Sequence, residues 1–191
     1  FSDIRRLVEI GKGKVQFVFS GKAHPHDEPG KDILQKINRI AKELGAELPV
    51  VFIENYNMGP AKFITSGVDI WLNTPIRPRE ASGTSGMKCV HNGVMNFSVL
   101  DGWWIEGCIE GRTGWAIGPE PTENGMVEDN EAEDAVDLYN KLEEKIIPAY
   151  YTDRKRWIGM MKFAIAVNAS YFNTHRVVHE YCEKAYGTVF R

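Results

Sequence analysis

The chain has 191 residues, enough for one domain with a substantial core, and 43% of them are hydrophobic while 26% are charged. A formal net charge of −3 argues against a nucleic-acid partner, which usually selects a basic surface. No apolar run approaches the roughly 20 residues that span a bilayer, so no membrane partner is predicted. The three cysteines have no close pairing, which favours a reduced, cytoplasmic protein.

Helical stripes and short apolar runs alternate over the first half of the chain. The predicted helices have apolar residues at helical spacing, and they cover Phe1 to about Lys12, Lys31–Leu44 and Pro60–Ser66. The predicted strands are short buried runs, at Val15–Phe19, Pro49–Ile53, Val68–Leu72 and Phe97–Leu100. This alternation predicts an α/β fold, a Rossmann-like parallel sheet with helices on both faces.

The second half of the chain is predicted to be mainly helical. Apolar residues from Met87 to Met95 fall on one helical face, and Trp103–Gly118 is expected to hold short strands. The closing helices are predicted at Ala132–Ile147, Asp153–Asn168 and Thr174–Ala185. Loops that follow parallel strands gather at one rim, where ligands bind. The loops of this kind are Gly21–Asp27, Glu54–Met58, Asn73–Lys88 and Asp101–Gly107.

The most informative stretch is Glu80–Lys88, a loop rich in glycine and hydroxyl residues that runs into a predicted helix. Small residues let backbone N–H groups approach an anion, and the start of a helix adds its positive dipole end. Lys88, expected in the first turn, would lie within reach of a bound phosphate. A Walker loop is excluded, because Met87 separates the glycine from the lysine and Cys89 follows it.

This stretch resembles the cofactor-lysine segment of the α-glucan phosphorylases, the family of glycogen, starch and maltodextrin phosphorylases. Further matches follow in the family's order and at similar spacing, at Ser20–Ala23, Ile53–Tyr56, Asn92-Gly93 and Leu100–Gly102. Asp101–Gly107 is similar to the shorter bacterial and archaeal branch. The resemblance implies the C-terminal half of a two-domain glycosyltransferase fold of the GT-B type, with closing C-terminal helices. Residues 1–191 would then be the pyridoxal-phosphate-binding domain of a longer protein, without its N-terminal domain.

The activity implied by this resemblance is phosphorolysis of terminal α-1,4-glucosidic bonds. The substrates would be an α-1,4-glucan and inorganic phosphate, the product α-glucose 1-phosphate, and the cofactor pyridoxal phosphate. The missing N-terminal domain would form the other wall of the cleft, so the domain alone is expected to catalyse poorly or not at all. A homo-oligomer is left open.

The resemblance also assigns the cofactor residues. Lys88 matches the lysine to which pyridoxal phosphate is attached as a Schiff base, Gly83 and Thr84 match positions that hold its phosphate, and Tyr56 matches a tyrosine near its ring. The ordinary alternatives are a solvated lysine, a helix cap and a buried structural tyrosine. Asn57 departs from the arginine of the animal enzymes, so the phosphate charge must be balanced elsewhere.

The same resemblance assigns the residues that bind the glucose unit: Glu80, Ala81, Ser82 and Gly83. Glu80 would accept hydrogen bonds from sugar hydroxyls; the alternative is a surface carboxylate beside Arg79. The pair His24 and His26 is a weak zinc signal without a cysteine partner, and no metal is predicted.

Two other functions remain open at this level. A nucleotide-sugar glycosyltransferase such as glycogen synthase has a related fold, but it needs no lysine like Lys88. A non-catalytic glucan-binding domain would bind sugar without turnover. Fold alone cannot distinguish these functions, so the choice between them rests mainly on the motif around Lys88.

Overall fold

The computed structural model describes residues 1–80, 82–121 and 129–187. They form two compact units, Phe1–Ile64 and a second unit that begins at Thr65. Each unit contains a short parallel sheet flanked by helices. The predicted α/β class is therefore confirmed, and the architecture is consistent with a Rossmann-like half of a GT-B glycosyltransferase.

The first unit alternates helices and strands as predicted. Its elements are α1 (Ile4–Gly11), β1 (Phe17–Ser20), α2 (Glu28–Leu44) and β2 (Val50–Ile53), followed by α3 (Met58–Gly67). β1 and β2 are parallel, with Phe17 opposite Val50, and α2 packs on β2. α2 begins three residues earlier than predicted because the Asp27 side chain accepts the N–H of Gly30 and caps the helix.

The second unit is built on a three-stranded parallel sheet. Its elements before the closing helices are β3 (Ile70–Asn73), α4 (Thr84–His91), β4 (Met95–Val99), α5 (Trp104–Gly107) and β5 (Gly114–Ile117). The strand order is β3–β4–β5. Every residue of β4 is buried, and because successive side chains of a strand point to opposite faces, both faces of β4 are covered.

The predicted extent of the helix after the glycine loop is wrong. The expected helix running to Met95 ends at His91, and Met95 is the first residue of β4. The reason is the turn at Asn92 and Gly93. Gly93 has φ of +76°, and the N–H of Val94 donates a hydrogen bond to the carbonyl of Cys89.

The closing helices are confirmed, with local π-helical segments. They comprise α6 (Glu131–Lys141) continuing through Leu142–Ile146 into α7 (Ile147–Thr152), α8 (Arg154–Ala164) extended by Ile165–Ala169, and α9 (Thr174–Tyr181) extended by Cys182–Tyr186. α8 packs on β4 and α6 on β5. Trp157 of α8 stacks on Trp115 of β5 with ring centroids 5.9 Å apart. None of the helices in the described part of the chain is both long and apolar enough to cross a bilayer.

Within the described residues β5 is an edge strand, and several backbone groups along its outer side meet side chains. The N–H of Ala116 donates to Glu110 Oε2 at 2.8 Å, and the Ala116 carbonyl accepts from Lys141 Nζ at 3.0 Å. The N–H of Gly118, just past the strand, donates to Asp137 Oδ2 at 2.8 Å. Neighbouring charged side chains therefore satisfy the hydrogen-bonding groups of Ala116 and Gly118 at this edge.

Candidate functional site

Two loops meet where β3 and β4 end. Parallel strands finish at the same edge of a sheet, so the segments after β3 and after β4 are brought together. Asp101 Oδ2 accepts the N–H of Glu80 at 2.9 Å, and the N–H of Trp103 donates to the carbonyl of Ser82 at 2.9 Å. The predicted convergence of loops is confirmed for these two loops of the second unit.

The start of α4 leaves its backbone N–H groups uncapped by side chains. Gly83 is the N-cap residue in the left-handed region, with φ of +83°, and among the described residues no side chain caps the helix. A side chain is also excluded at Gly86, where a Cβ would lie 2.5 Å from Asn96 Oδ1 and 2.9 Å from Trp103 Nε1. A helix start with free N–H groups attracts an anion.

Lys88 lies one turn further along α4 than expected. It is the fifth residue of the helix, it is exposed, and its Nζ is 3.5 Å from Thr84 Oγ1. Residues four apart lie on the same helix face. A primary amine and a hydroxyl therefore stand together beside the uncapped helix start.

The neighbouring Cys89 has no such exposure. Its side chain is completely buried, and burial raises the pKa of the thiol to about 12, against the opposing effect of the positive charge of Lys88. The thiol therefore stays protonated and unreactive near neutral pH.

A cleft and a smaller hollow adjoin the loop that begins at Glu80 and leads to Gly83 at the start of α4, which we call the Glu80 loop. The cleft has a volume of about 370 Å³ and is lined by Pro78, Glu80, Ser82, Met87, Asp101, Gly102, Trp103, Ile105, Glu106 and Phe172. The hollow, of about 100 Å³, is lined by Trp71, Asn73, Glu80, Gly83, Ser85, Gly86, Asn96, Ser98 and Trp103. Glu80 borders both spaces. Among the described residues its carboxylate has neither an ion pair with Arg79 nor another partner, so it is available to a ligand.

The structure brings together most of the predicted site residues. Glu80, Ser82, Gly83, Thr84 and Lys88 follow one another from the Glu80 loop into α4. Gly83 and Glu80 are close in space, since a Cβ on Gly83 would lie 3.6 Å from Glu80 Cγ. These residues form one continuous surface at the end of the sheet.

The remaining two predicted site residues are Tyr56 and Ala81. Tyr56 belongs to the first unit, where it is half-buried between β2 and α3, and its role stays a prediction. Ala81 lies outside the described residues. Asn57, which was left out of the predicted site, accepts the N–H of Gly59 through its side chain at the start of α3.

The two histidines of the weak zinc signal lie side by side. The rings of His24 and His26 lie 5.5 Å apart, and His24 Nδ1 accepts the N–H of His26. In the described ranges no three or more His, Cys, Asp or Glu side chains cluster closely enough to hold a metal ion.

Sequence reasoning missed a buried ion pair just before the Glu80 loop. Arg77 is 4% exposed, and its Nη2 donates to both carboxylate oxygens of Asp134, at 2.6 and 2.7 Å. Gly118 leaves room for it, because a Cβ there would lie 2.0 Å from Asp134 Oδ1. We call Arg77, Asp134 and Gly118 the Arg77 anchor. No local signal reveals it, because its members are far apart in the sequence.

The sequence analysis did not predict that the turn Asp101–Trp103 holds the Glu80 loop through its hydrogen bonds. Trp103 and Trp104 are core residues, 6% and 1% exposed, as expected for tryptophans. An Asp-Gly pair directly after a strand was the signal that could have indicated a tight turn.

Comparisons with known proteins found a matching family model and several similar curated proteins. Residues 1–114 match the protein-family model described as carbohydrate phosphorylase. A maltodextrin phosphorylase of Thermococcus litoralis is 48% identical over 96% of the chain and 22% of its own length. A glycogen phosphorylase of Aquifex aeolicus is 42% identical over 100% of the chain and 28% of its own length. The chain thus spans about a quarter of the length of these curated relatives.

Proposed function

This chain belongs to the carbohydrate phosphorylase family, and from that premise we propose that it is the C-terminal, pyridoxal-phosphate-binding domain of an α-glucan phosphorylase. The reaction is phosphorolysis of terminal α-1,4-glucosidic bonds, which releases α-glucose 1-phosphate. The observation that carries the proposal is the exposed Lys88 amine beside Thr84, one turn from the uncapped start of α4.

The residues present fit pyridoxal phosphate. Lys88 would hold the cofactor covalently through Nζ, and the backbone N–H groups after Gly83 with the Thr84 hydroxyl would bind its phosphate. When bound, the cofactor supplies a phosphate group that exchanges a proton with the substrate phosphate. Gly83 supports this assignment. Its left-handed conformation favours glycine, and glycine places no side chain over the helix start.

The Glu80 loop would bind the terminal glucosyl unit, with Glu80, Ala81, Ser82 and Gly83 as its contacts. The Glu80 carboxylate is free among the described residues to accept hydrogen bonds from sugar hydroxyls. Apolar residues of the adjoining cleft, Met87, Ile105 and Phe172, would limit access of water. The names of the relatives, maltodextrin and glycogen phosphorylase, support a glucan of this linkage.

The proposal includes partners outside this chain. Inorganic phosphate is the second substrate, and an N-terminal domain would face the site, as the aligned share of 22% and 28% of two relatives suggests. Tyr56 would lie near the cofactor ring. The cytoplasm is the proposed location, because Cys89, Cys108 and Cys182 are all free thiols.

The test uses the protein as expressed from its own gene. It is incubated with pyridoxal phosphate, reduced with borohydride and mapped by peptide mass spectrometry, and glucose 1-phosphate formation from maltodextrin and phosphate is assayed in parallel. We expect the reduced adduct on the Lys88 peptide. Lys88→Arg should abolish both signals, whereas the matched control Lys155→Arg, on the exposed surface of α8, should keep both.

The other outcomes would assign a different function. No adduct, together with glucosyl transfer from a nucleotide sugar, would favour a glycosyltransferase of the glycogen synthase kind. Glucan binding without an adduct or turnover would favour a non-catalytic binding domain.

A further inference from the structure

Asp101 is a buried carboxylate that the proposed chemistry does not use. It is 5% exposed, its Oδ2 accepts the N–H of Glu80 at 2.9 Å, and its Oδ1 accepts the N–H of Gly102 at 2.8 Å. No ion pair joins it to a cation within the described ranges. Burying a carboxylate is costly unless hydrogen bonds compensate, and here backbone N–H groups provide them.

The turn that begins at Asp101 lies directly against the Glu80 loop. Gly102 has φ of +55°, and a Cβ on it would lie 2.7 Å from the Ser82 carbonyl oxygen and 3.1 Å from Glu80 Cγ. The next residue, Trp103, donates its N–H to the same Ser82 carbonyl. Two residues proposed to contact the glucosyl unit are therefore held through their backbones.

The Glu80 side chain itself has no hydrogen bond or ion pair in the described part of the chain. Its direction consequently depends on the backbone at Glu80, which Asp101 holds. We propose that Asp101 is a positioning residue, which orients the Glu80 carboxylate toward the glucosyl unit; this inference rests on the proposed function.

The test is a double-mutant cycle between Asp101→Asn and Glu80→Gln in the protein expressed from its own gene. Asparagine keeps the shape of Asp101, but its NH₂ group faces one of the two N–H donors, so one hydrogen bond is lost. We expect Asp101→Asn to lower kcat/KM for phosphorolysis by about 10- to 100-fold, with the Lys88 adduct still formed. In the Glu80→Gln background the same change should cost less than about twofold, because the group it positions is already altered.

Asp153→Asn is the matched control. It makes the same change at a carboxylate that accepts a backbone N–H, that of Arg156 at 2.9 Å at the start of α8. Asparagine is an equally good N-cap, so kcat/KM should stay within about twofold of the unsubstituted value.

Independent losses in the cycle would overturn the positioning role, since they would show that Asp101 does not act through Glu80. Absence of phosphorolysis in the unsubstituted protein would overturn the proposed function itself, which separates the two failures. If Asp101→Asn does not fold, the same cycle is run with Asp101→Ser, which removes the carboxylate that accepts the N–H groups of Glu80 and Gly102. Coupling with Glu80→Gln then supports the proposal, and independence overturns it.

Discussion

The Arg77 anchor and the segment Glu80–Lys88 are neighbours in the sequence but are held in opposite ways. Arg77 and Asp134 are buried, and their side chains bond to each other. In the segment, backbone groups of Glu80 and Ser82 are held by the Asp101–Trp103 turn, while the side chains of Glu80 and Lys88 have few contacts. The anchor uses its side chains for the fold, whereas the segment leaves the side chains of Glu80 and Lys88 available to a ligand.

The largest effect on stability is expected from Arg77→Ala. It would leave the buried Asp134 carboxylate without its partner, and breaking a buried pair in this way lowers the free energy of unfolding by about 3–5 kcal/mol. Urea denaturation measures this loss. Arg39→Ala is the control, because Arg39 forms an exposed pair with Glu43 at 3.9 Å. Its loss should lower the free energy of unfolding by less than about 1 kcal/mol. Equal losses for the two variants would remove the distinction between anchor and surface.

A smaller loss is expected from Gly118→Ala. A Cβ at this position meets Asp134 Oδ1, and φ of +76° disfavours any side chain, so we expect a loss of about 1–3 kcal/mol. Gly45→Ala separates the two causes, because Gly45 also has a positive φ but has open space around its Cβ position. If Gly118→Ala costs no more than Gly45→Ala in urea denaturation, the anchor is not tightly packed.

Lys88→Ala should leave stability nearly unchanged while removing function. The side chain is exposed and its contact with Thr84 is long, so the free energy of unfolding should change by less than about 0.5 kcal/mol. The borohydride-reduced adduct and phosphorolysis should both disappear. A loss of stability similar to that of Arg77→Ala would contradict the comparison, because it would make Lys88 a structural residue.

The three cysteines test the contrast between buried and exposed side chains through their chemical reactivity, without any substitution. Burial raises the pKa of the Cys89 and Cys108 thiols to about 12, whereas Cys182 is exposed. Alkylation by iodoacetamide at about pH 8 should therefore modify Cys182 first, because it is accessible, whereas Cys89 is buried and its thiol stays protonated. Labelling of Cys89 should stay slow as long as the protein is folded, because its side chain is completely buried. Rapid labelling of Cys89 at neutral pH would show that α4 opens locally.

The parts of the molecule that sequence predicted are those encoded by local patterns. The strands and most helices follow from apolar spacing, and the segment Glu80–Lys88 is contiguous, so its residues meet without knowledge of the fold. Arg77 and Asp134 lie 57 positions apart, and Glu80 and Asp101 lie 21 apart. Only the parallel sheet and the helices packed on it bring such pairs together.

The error after α4 has a local cause. Apolar residues from Met87 to Met95 match one helical face, yet Gly93 turns the chain with a positive φ and β4 follows at once. Because β4 is buried on both faces, it lacks the alternation that marks a half-exposed strand. A fully buried strand and a buried helix face are then similar in sequence.

The charged side chains along β5 have a consequence for self-association. An uncovered edge strand is a template on which another chain can add a strand, and this is a common route to aggregation. Here an added strand would have to displace Glu110 and Lys141 from Ala116, and Asp137 from Gly118, before it could form hydrogen bonds to these backbone groups. The sheet is thus protected against growth at β5, and a partner that extends it there would have to bring charges of its own to replace those it removes.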